Sequence, residues 1–169
     1  MKRVAAIQMA SGPNVGANLT EAGRLISRAV DAGAALIVLP ENFAIMGMHE
    51  VDKVKVGEQP GSGPIQDFLA EQARKHGIWI VGGTLPLQSD DKQRIRAACL
   101  LIDDQGHQVA RYDKVHLFDV HLEENGENYT ESEAIEPGEE VVVITRAPAA
   151  APPYTIFTEA TSLSACNKV

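Results

Sequence analysis

The stretch Leu36-Ile-Val-Leu-Pro-Glu-Asn-Phe43 decides the fold. Its first four residues are apolar without alternation, which is typical of a strand buried on both faces of a sheet, and Pro40 ends the run. The preceding segment, beginning near Asn18, repeats apolar residues at helical spacing, and Gly33 is placed to close that helix. A helix followed directly by a buried strand predicts an α/β layered fold.

The same pattern returns on both sides of this unit. Upstream, residues 4–9 predict a short strand; downstream, residues 64–76 predict a helix and residues 78–81 a second buried strand. A β-hairpin is predicted over residues 97–102 and 107–112, around the turn signal Asp103-Asp-Gln-Gly106. We expect an irregular acidic segment over 113–140 and a last strand over 141–144. The order of elements predicts helices covering one sheet.

Composition limits the partners and the compartment. The 169 residues carry 15 basic and 23 acidic side chains, a net charge of −8, which argues against nucleic acid or an anionic membrane as partner. No apolar stretch is long enough to span a bilayer, and the first residues read as a strand rather than a signal peptide. With only two cysteines, Cys99 and Cys166, a cytoplasmic protein is expected.

Two charged residues follow predicted strands, where sites collect in open α/β sheets. Glu41 comes directly after the first buried strand, and a partly desolvated carboxylate there suits proton transfer near neutral pH. Lys114 follows the predicted hairpin, and a fixed ammonium can stabilise an oxyanion. Local sequence alone favours the plainer interpretation, in which both side chains simply face water.

Two long motifs, in order, carry a family resemblance. Leu36-Ile-Val-Leu-Pro-Glu-Asn-Phe43 and Tyr112-Asp-Lys-Val-His-Leu-Phe-Asp-Val120 together resemble the nitrilase superfamily of carbon–nitrogen hydrolases, in its ω-amidase and deaminated-glutathione-amidase branch. Gly82-Gly-Thr84 and Tyr129-Thr-Glu-Ser132 support it. The resemblance covers residues 1 to about 145 and implies part of an α-β-β-α sandwich.

The resemblance also implies a Glu–Lys–Cys triad that hydrolyses a small carboxylic amide to an acid and ammonia without a cofactor. Glu41 matches the general base, Lys114 matches the lysine that supports the tetrahedral intermediate, and Glu131 matches a second glutamate that holds the lysine and positions substrate. It further implies a small-molecule amide as substrate and the possibility of a homo-oligomer.

The nucleophile is not evident. The family's cysteine lies in a context like Cys-Tyr-Asp-x-Arg, and this chain lacks that context. Cys99 lies in an apolar run typical of a core residue. Cys166, three residues from the end, has no matching neighbours, and we expect it not to be the nucleophile.

The composition changes after Thr145. Three of the 24 residues from 146 to 169 are charged, and the segment begins Arg146-Ala-Pro-Ala-Ala-Ala-Pro-Pro153. We therefore expect a carbon–nitrogen hydrolase portion over 1–145 and a divergent, poorly ordered tail over 146–169. The hypothesis is that the domain is truncated at its C-terminus by a frame change or an early stop.

Two alternatives stay open. The chain can be a catalytically inactive fragment or interaction module that pairs with a full-length homologue. A metal hydrolase is also conceivable, because His116, Asp119 and His121 form a His-x-x-Asp-x-His pattern, although no further ligand cluster accompanies it and no metal is expected.

Overall fold

The computed structural model describes residues 3–122 and 127–144. The strands are β1 (Arg3–Ala6), β2 (Ala34–Val38), β3 (Trp79–Val81), β4 (Leu85–Gln88), β5 (Ile95–Ile102), β6 (Gln108–Asp113), β7 (Asp119–Leu122) and β8 (Glu127–Thr130). The helices are α1 (Val15–Asp31), α2 (Asp52–Lys55) and α3 (Pro64–His76), with a 3-10 turn at Glu131–Glu133.

The main sheet is mixed. Strands β1, β2 and β3 are parallel neighbours, as expected when helices connect them. Strand β5 then runs antiparallel to β3 and β4 and pairs with β6 in the predicted hairpin. A separate two-stranded antiparallel sheet is formed by β7 and β8.

Both long helices lie on one face of the main sheet. The apolar stripe of α1, including Ala22 and Ile26, packs with Leu69 of α3 against inward-facing strand residues such as Ile37 and Ile80. The predicted glycine explains where α1 ends. Gly33, just beyond α1, has φ +86° and donates from its N–H to the Val30 carbonyl at 2.7 Å. The α/β layering expected from the sequence is therefore confirmed.

The opposite face of the sheet carries a second apolar cluster, built from Leu36, Val81, Cys99, Leu101 and Tyr112. Extended residues 142 and 144 pack against it from outside the ladder. Because neighbouring strand residues point to opposite faces, the unbroken apolar runs seen in the sequence supply both clusters at once.

The structure differs from the predictions of local structure in four places. Residues 141–144 form no strand, although their burial alternates as a strand's would. The segment 113–140, expected to be irregular, contains the β7–β8 pair, and β4 lies in a region where no strand was predicted. Helix α1 begins at Val15 rather than near Asn18, because the Asn14 side chain accepts from the Ala17 N–H.

In the described part of the chain, no helix combines the length and the apolar character needed to cross a bilayer. The predicted tail over 146–169 lies outside the described residues.

Candidate active site

Glu41 and Lys114 follow two different strands of the main sheet. Glu41 comes three residues after β2, and Lys114 comes directly after β6. The Lys114 backbone is fixed on both sides: its N–H donates to the Ala97 carbonyl of β5 at 3.0 Å, and its carbonyl accepts from the Gly138 N–H at 2.9 Å. The lysine is therefore anchored to the sheet before its side chain makes any contact.

The Lys114 ammonium lies between two carboxylates. Its Nζ donates to Glu41 Oε1 at 2.9 Å and to Glu131 Oε2 at 2.8 Å. The three residues named from the sequence therefore form one hydrogen-bonded group, although 73 positions separate the first pair along the chain.

Glu131 is held in place from several directions. It begins the 3-10 turn that follows β8, and its carbonyl accepts from the N–H groups of Ala134 and Ile135. Its Oε2 atom accepts a second hydrogen bond, from the Phe118 N–H at 2.8 Å. The Phe118 ring meets the Tyr129 ring edge-on, with centroids 5.5 Å apart. Glu131 is thus held where β8 ends and is bonded to Phe118, the residue directly before β7.

The two carboxylates differ in exposure. The side chain of Glu131 is 12% exposed and that of Lys114 is 13% exposed, whereas that of Glu41 is 47% exposed. The Glu41 side chain is thus about half covered by the protein, and the rest of it faces solvent. One carboxylate is enclosed, and the other is open to an incoming molecule.

The electrostatic balance favours a charged lysine. Burial on its own lowers the pKa of Lys114. The hydrogen bonds and charges of Glu131 and Glu41 together raise it by more than burial lowers it, so the net shift of the pKa is upward. A positive charge fixed at this position can hold an oxyanion, and the exposed carboxylate beside it can accept and return a proton.

The turn that carries Glu41 has a second anchor, which sequence reasoning missed. Asn42 adopts a left-handed φ of +54°, and its N–H donates to Thr84 Oγ1 at 2.8 Å. Thr84 lies just after β3, in the Gly82-Gly-Thr84 segment that supports the family resemblance. That segment is the only sequence signal that marks Thr84, and it does not indicate that Thr84 contacts Asn42, 42 residues away.

Cys99, the cysteine in the described part of the chain, does not lie at this group. Cys99 is 8% exposed within the second apolar cluster, and burial raises the pKa of its thiol to about 12. It is a core residue, in line with its apolar setting in the sequence. Cys166 lies outside the described residues.

The His-x-x-Asp-x-His pattern is described only in part, through the side chains of His116 and Asp119. Among the side chains that the structure describes, no group of three or more His, Cys, Asp or Glu is arranged to hold a metal ion. His116 and Asp119 each have an interaction partner, and Asp119 Oδ1 accepts from the Ser132 N–H at 3.1 Å. The side chain of His121 is outside the described part of the chain.

Comparison with known proteins assigns the family. The carbon-nitrogen hydrolase profile matches residues 3–158, and the chain therefore belongs to the carbon–nitrogen hydrolase family. This result confirms the resemblance stated from the two long motifs.

Individual relatives agree with the family and with the amidase branch. The chain is 36% identical over 141 residues to a deaminated glutathione amidase of Yersinia enterocolitica, covering 83% of this chain and 49% of the relative. It is 33% identical over 150 residues to omega-amidase NIT3 of Saccharomyces cerevisiae, covering 84% of this chain and 50% of the relative. The crystal structure of yeast Nit3, a member of branch 10 of the nitrilase superfamily, matches with a TM-score of 0.70 at 29% identity, covering 84% of this chain and 50% of that one. The chain spans about half the length of the curated relatives it matches.

Proposed function

We propose that this chain carries the proton-transfer and oxyanion-stabilising groups of an amidase that hydrolyses a small carboxylic amide to an acid and ammonia. The observation that carries the proposal is the Lys114 ammonium shared between Glu41 and Glu131. Relatives named deaminated glutathione amidase and omega-amidase favour the monoamide of a dicarboxylic acid, or a related acid amide, as substrate.

Each group has a distinct task in this chemistry. Glu41, the exposed carboxylate, takes the proton of an attacking thiol and passes it to the departing ammonia. Lys114 stabilises the oxyanion of the tetrahedral intermediate. Glu131, enclosed and bonded to the Phe118 N–H, holds the ammonium in place. Water activated by Glu41 then hydrolyses the thioester, and the net reaction consumes one amide and one water.

The sulfur nucleophile is the component that residues 3–122 and 127–144 do not offer at this site. Their cysteine, Cys99, is buried with a pKa raised to about 12, so it supplies almost no thiolate near neutral pH. We therefore expect the chain assayed alone to release no ammonia from small amides such as α-ketoglutaramate. Robust turnover that Cys166→Ala abolishes would refute this expectation.

A chimera tests the roles of the residues that are present. Residues 1–144 of this chain would be joined to the C-terminal half of the Yersinia enterocolitica relative, and ammonia release would be measured. Glu41→Gln and Lys114→Met are each expected to lower kcat by roughly a hundredfold or more. Glu21→Gln, which changes an exposed carboxylate on α1, is the matched control and should leave kcat unchanged. An active chimera that tolerates Glu41→Gln contradicts the proposal.

A second candidate function is an interaction module that pairs with a full-length homologue. Residues 141–144 favour it: Val142 and Ile144 pack on the sheet, while Val141 and Val143 are 69% and 47% exposed. An extended segment with this alternation is suited to pairing with another strand. Size-exclusion chromatography with and without a full-length relative tests it, and elution unchanged by mixing counts against it. The same experiment on the chain alone tests for a homo-oligomer.

A further inference from the structure

We propose that Thr84 is a positioning residue for Glu41: its hydroxyl fixes the left-handed turn that directs the Glu41 carboxylate to Lys114. The catalytic meaning of this role rests on the proposed function, but the contact itself can be tested without turnover.

The first step is the close approach of two chain segments. The segment after β2 lies beside the segment after β3. The parallel pairing of the two strands continues into these segments, since the Leu39 N–H donates to the Val81 carbonyl at 2.9 Å. Gly83 adopts a left-handed φ of +57°, and a Cβ atom on it would lie 2.0 Å from the Pro40 carbonyl oxygen. Only glycine permits this approach, which brings Thr84 alongside Asn42.

The second step is the turn itself. Asn42 has a positive φ of +54°, a conformation that costs free energy in a residue other than glycine and needs support from its surroundings. Thr84 Oγ1 gives that support by accepting the Asn42 N–H at 2.8 Å. Neighbouring Phe43 is fully buried, so the chain is fixed again immediately beyond the turn.

Glu41 therefore lies between two anchored residues, Pro40 against Gly83 and Asn42 against Thr84. Its own side chain is nearly half exposed, and packing contributes correspondingly little to its direction. Lys114 is anchored independently through its backbone to Ala97 and Gly138. Loosening the Asn42 turn should consequently weaken the Glu41–Lys114 pair while leaving the Lys114–Glu131 pair in place.

The experiment replaces the hydroxyl in the complete chain. Thr84→Val keeps the side-chain shape and removes the acceptor, whereas Thr84→Ser keeps the acceptor. The first readout is the pKa of Lys114, followed through the Cε resonance of ¹³C-labelled lysine and assigned by the loss of that signal in Lys114→Met. The second readout is hydrogen exchange of the Asn42 amide.

Thr84→Val is expected to lower the pKa of Lys114, because the Glu41 carboxylate becomes less well placed beside the ammonium. It should also speed hydrogen exchange of the Asn42 amide by about fivefold, the ratio expected for the loss of one net hydrogen bond. Thr84→Ser should restore both values. Thr20→Val, which removes an exposed hydroxyl bonded to the Gly16 carbonyl on α1, is the control and should change neither.

Unchanged titration of Lys114 and unchanged Asn42 exchange in a folded Thr84→Val chain would overturn the proposal. If that variant does not fold, the wild-type chain still decides, since an unprotected Asn42 amide rules the contact out. The two proposals fail separately: a shifted Lys114 pKa together with a chimera that tolerates Glu41→Gln refutes the amidase and leaves the positioning role standing.

Discussion

Replacing Cys166 by alanine leaves Cys99 as the single thiol of the chain, so its reactivity can be measured alone. Burial raises the pKa of Cys99 from an ordinary 9.0 to about 12. Because the thiolate is the reactive form, at pH 8 the folded chain holds roughly a thousandfold less thiolate than an unperturbed cysteine does. Exclusion of the reagent from the apolar cluster slows the reaction further.

The assay is alkylation by iodoacetamide at pH 8, read by mass spectrometry, in buffer and in guanidinium chloride. The native chain should react at least roughly a thousandfold more slowly than the unfolded one, and Cys99→Ala in the same background should not react at all. A native rate within about tenfold of the unfolded rate would refute the placement of Cys99 in the core. It would also reopen the possibility that a described residue supplies the nucleophile.

The other predictions concern the close approach of Gly83 to Pro40, the capping of α3 by Glu58 and the charge on Lys114. Gly83→Ala should destabilise the chain by ~3 kcal/mol or more in urea unfolding, because its Cβ would lie 2.0 Å from the Pro40 oxygen. Gly61 also has a positive φ but open space around it, so the control Gly61→Ala should cost only about 1 kcal/mol. Equal costs for the two substitutions would contradict this reasoning. The buried Glu58 carboxylate accepts hydrogen bonds from the backbone N–H and the side-chain Nε2 of Gln66, in the first turn of α3. Glu58→Gln should therefore lower the free energy of unfolding by ~1–2 kcal/mol. An unchanged urea midpoint would exclude this capping role. Burial opposes the charge on Lys114, but its two carboxylate partners raise its pKa above 10.5; its stabilising contribution is therefore complete below that value and is lost as the pH rises through the folded pKa. Lys114→Met should accordingly show a flatter decline of stability at alkaline pH, and a decline as steep as that of the wild type would exclude the linkage.

The regular part of the fold could be predicted because its signals are local. The four apolar residues 36–39 indicated the buried strand that the structure has at Ala34–Val38, and the glycines at 33 and 77 indicated the helix ends. The failures in predicting strands share one cause, which is that strand pairing depends on a distant partner. Residues 141–144 have strand-like burial but no ladder partner among the described residues, and the polar β7–β8 segments have a partner but no apolar run.

The site was less accessible to local reasoning. Taken alone, Glu41 and Lys114 are ordinary charged residues after strands. Only the family resemblance, through the two long motifs and the supporting segment 129–132, indicated them together with Glu131. The motifs carry residue types and their order, but the enclosure of Glu131 and the exposure of Glu41 arise from packing. The Thr84 contact depends on how two loops approach in space, which no single window of sequence contains.

The unequal exposure of the two carboxylates is what allows one ammonium to serve both. Glu131 accepts from Lys114 and from the Phe118 N–H, so it is held at two points and can restrain the lysine throughout a reaction. Neutralising this carboxylate with a proton would weaken both charge-assisted hydrogen bonds, so Glu131 is better suited to restraining the lysine than to moving a proton. Glu41 is open to solvent and tied mainly through its backbone turn, so its carboxylate can exchange partners while the charge on Lys114 stays compensated by Glu131. The proposed division of labour thus follows from burial: the enclosed glutamate keeps the cation in place, and the exposed glutamate is free to transfer protons.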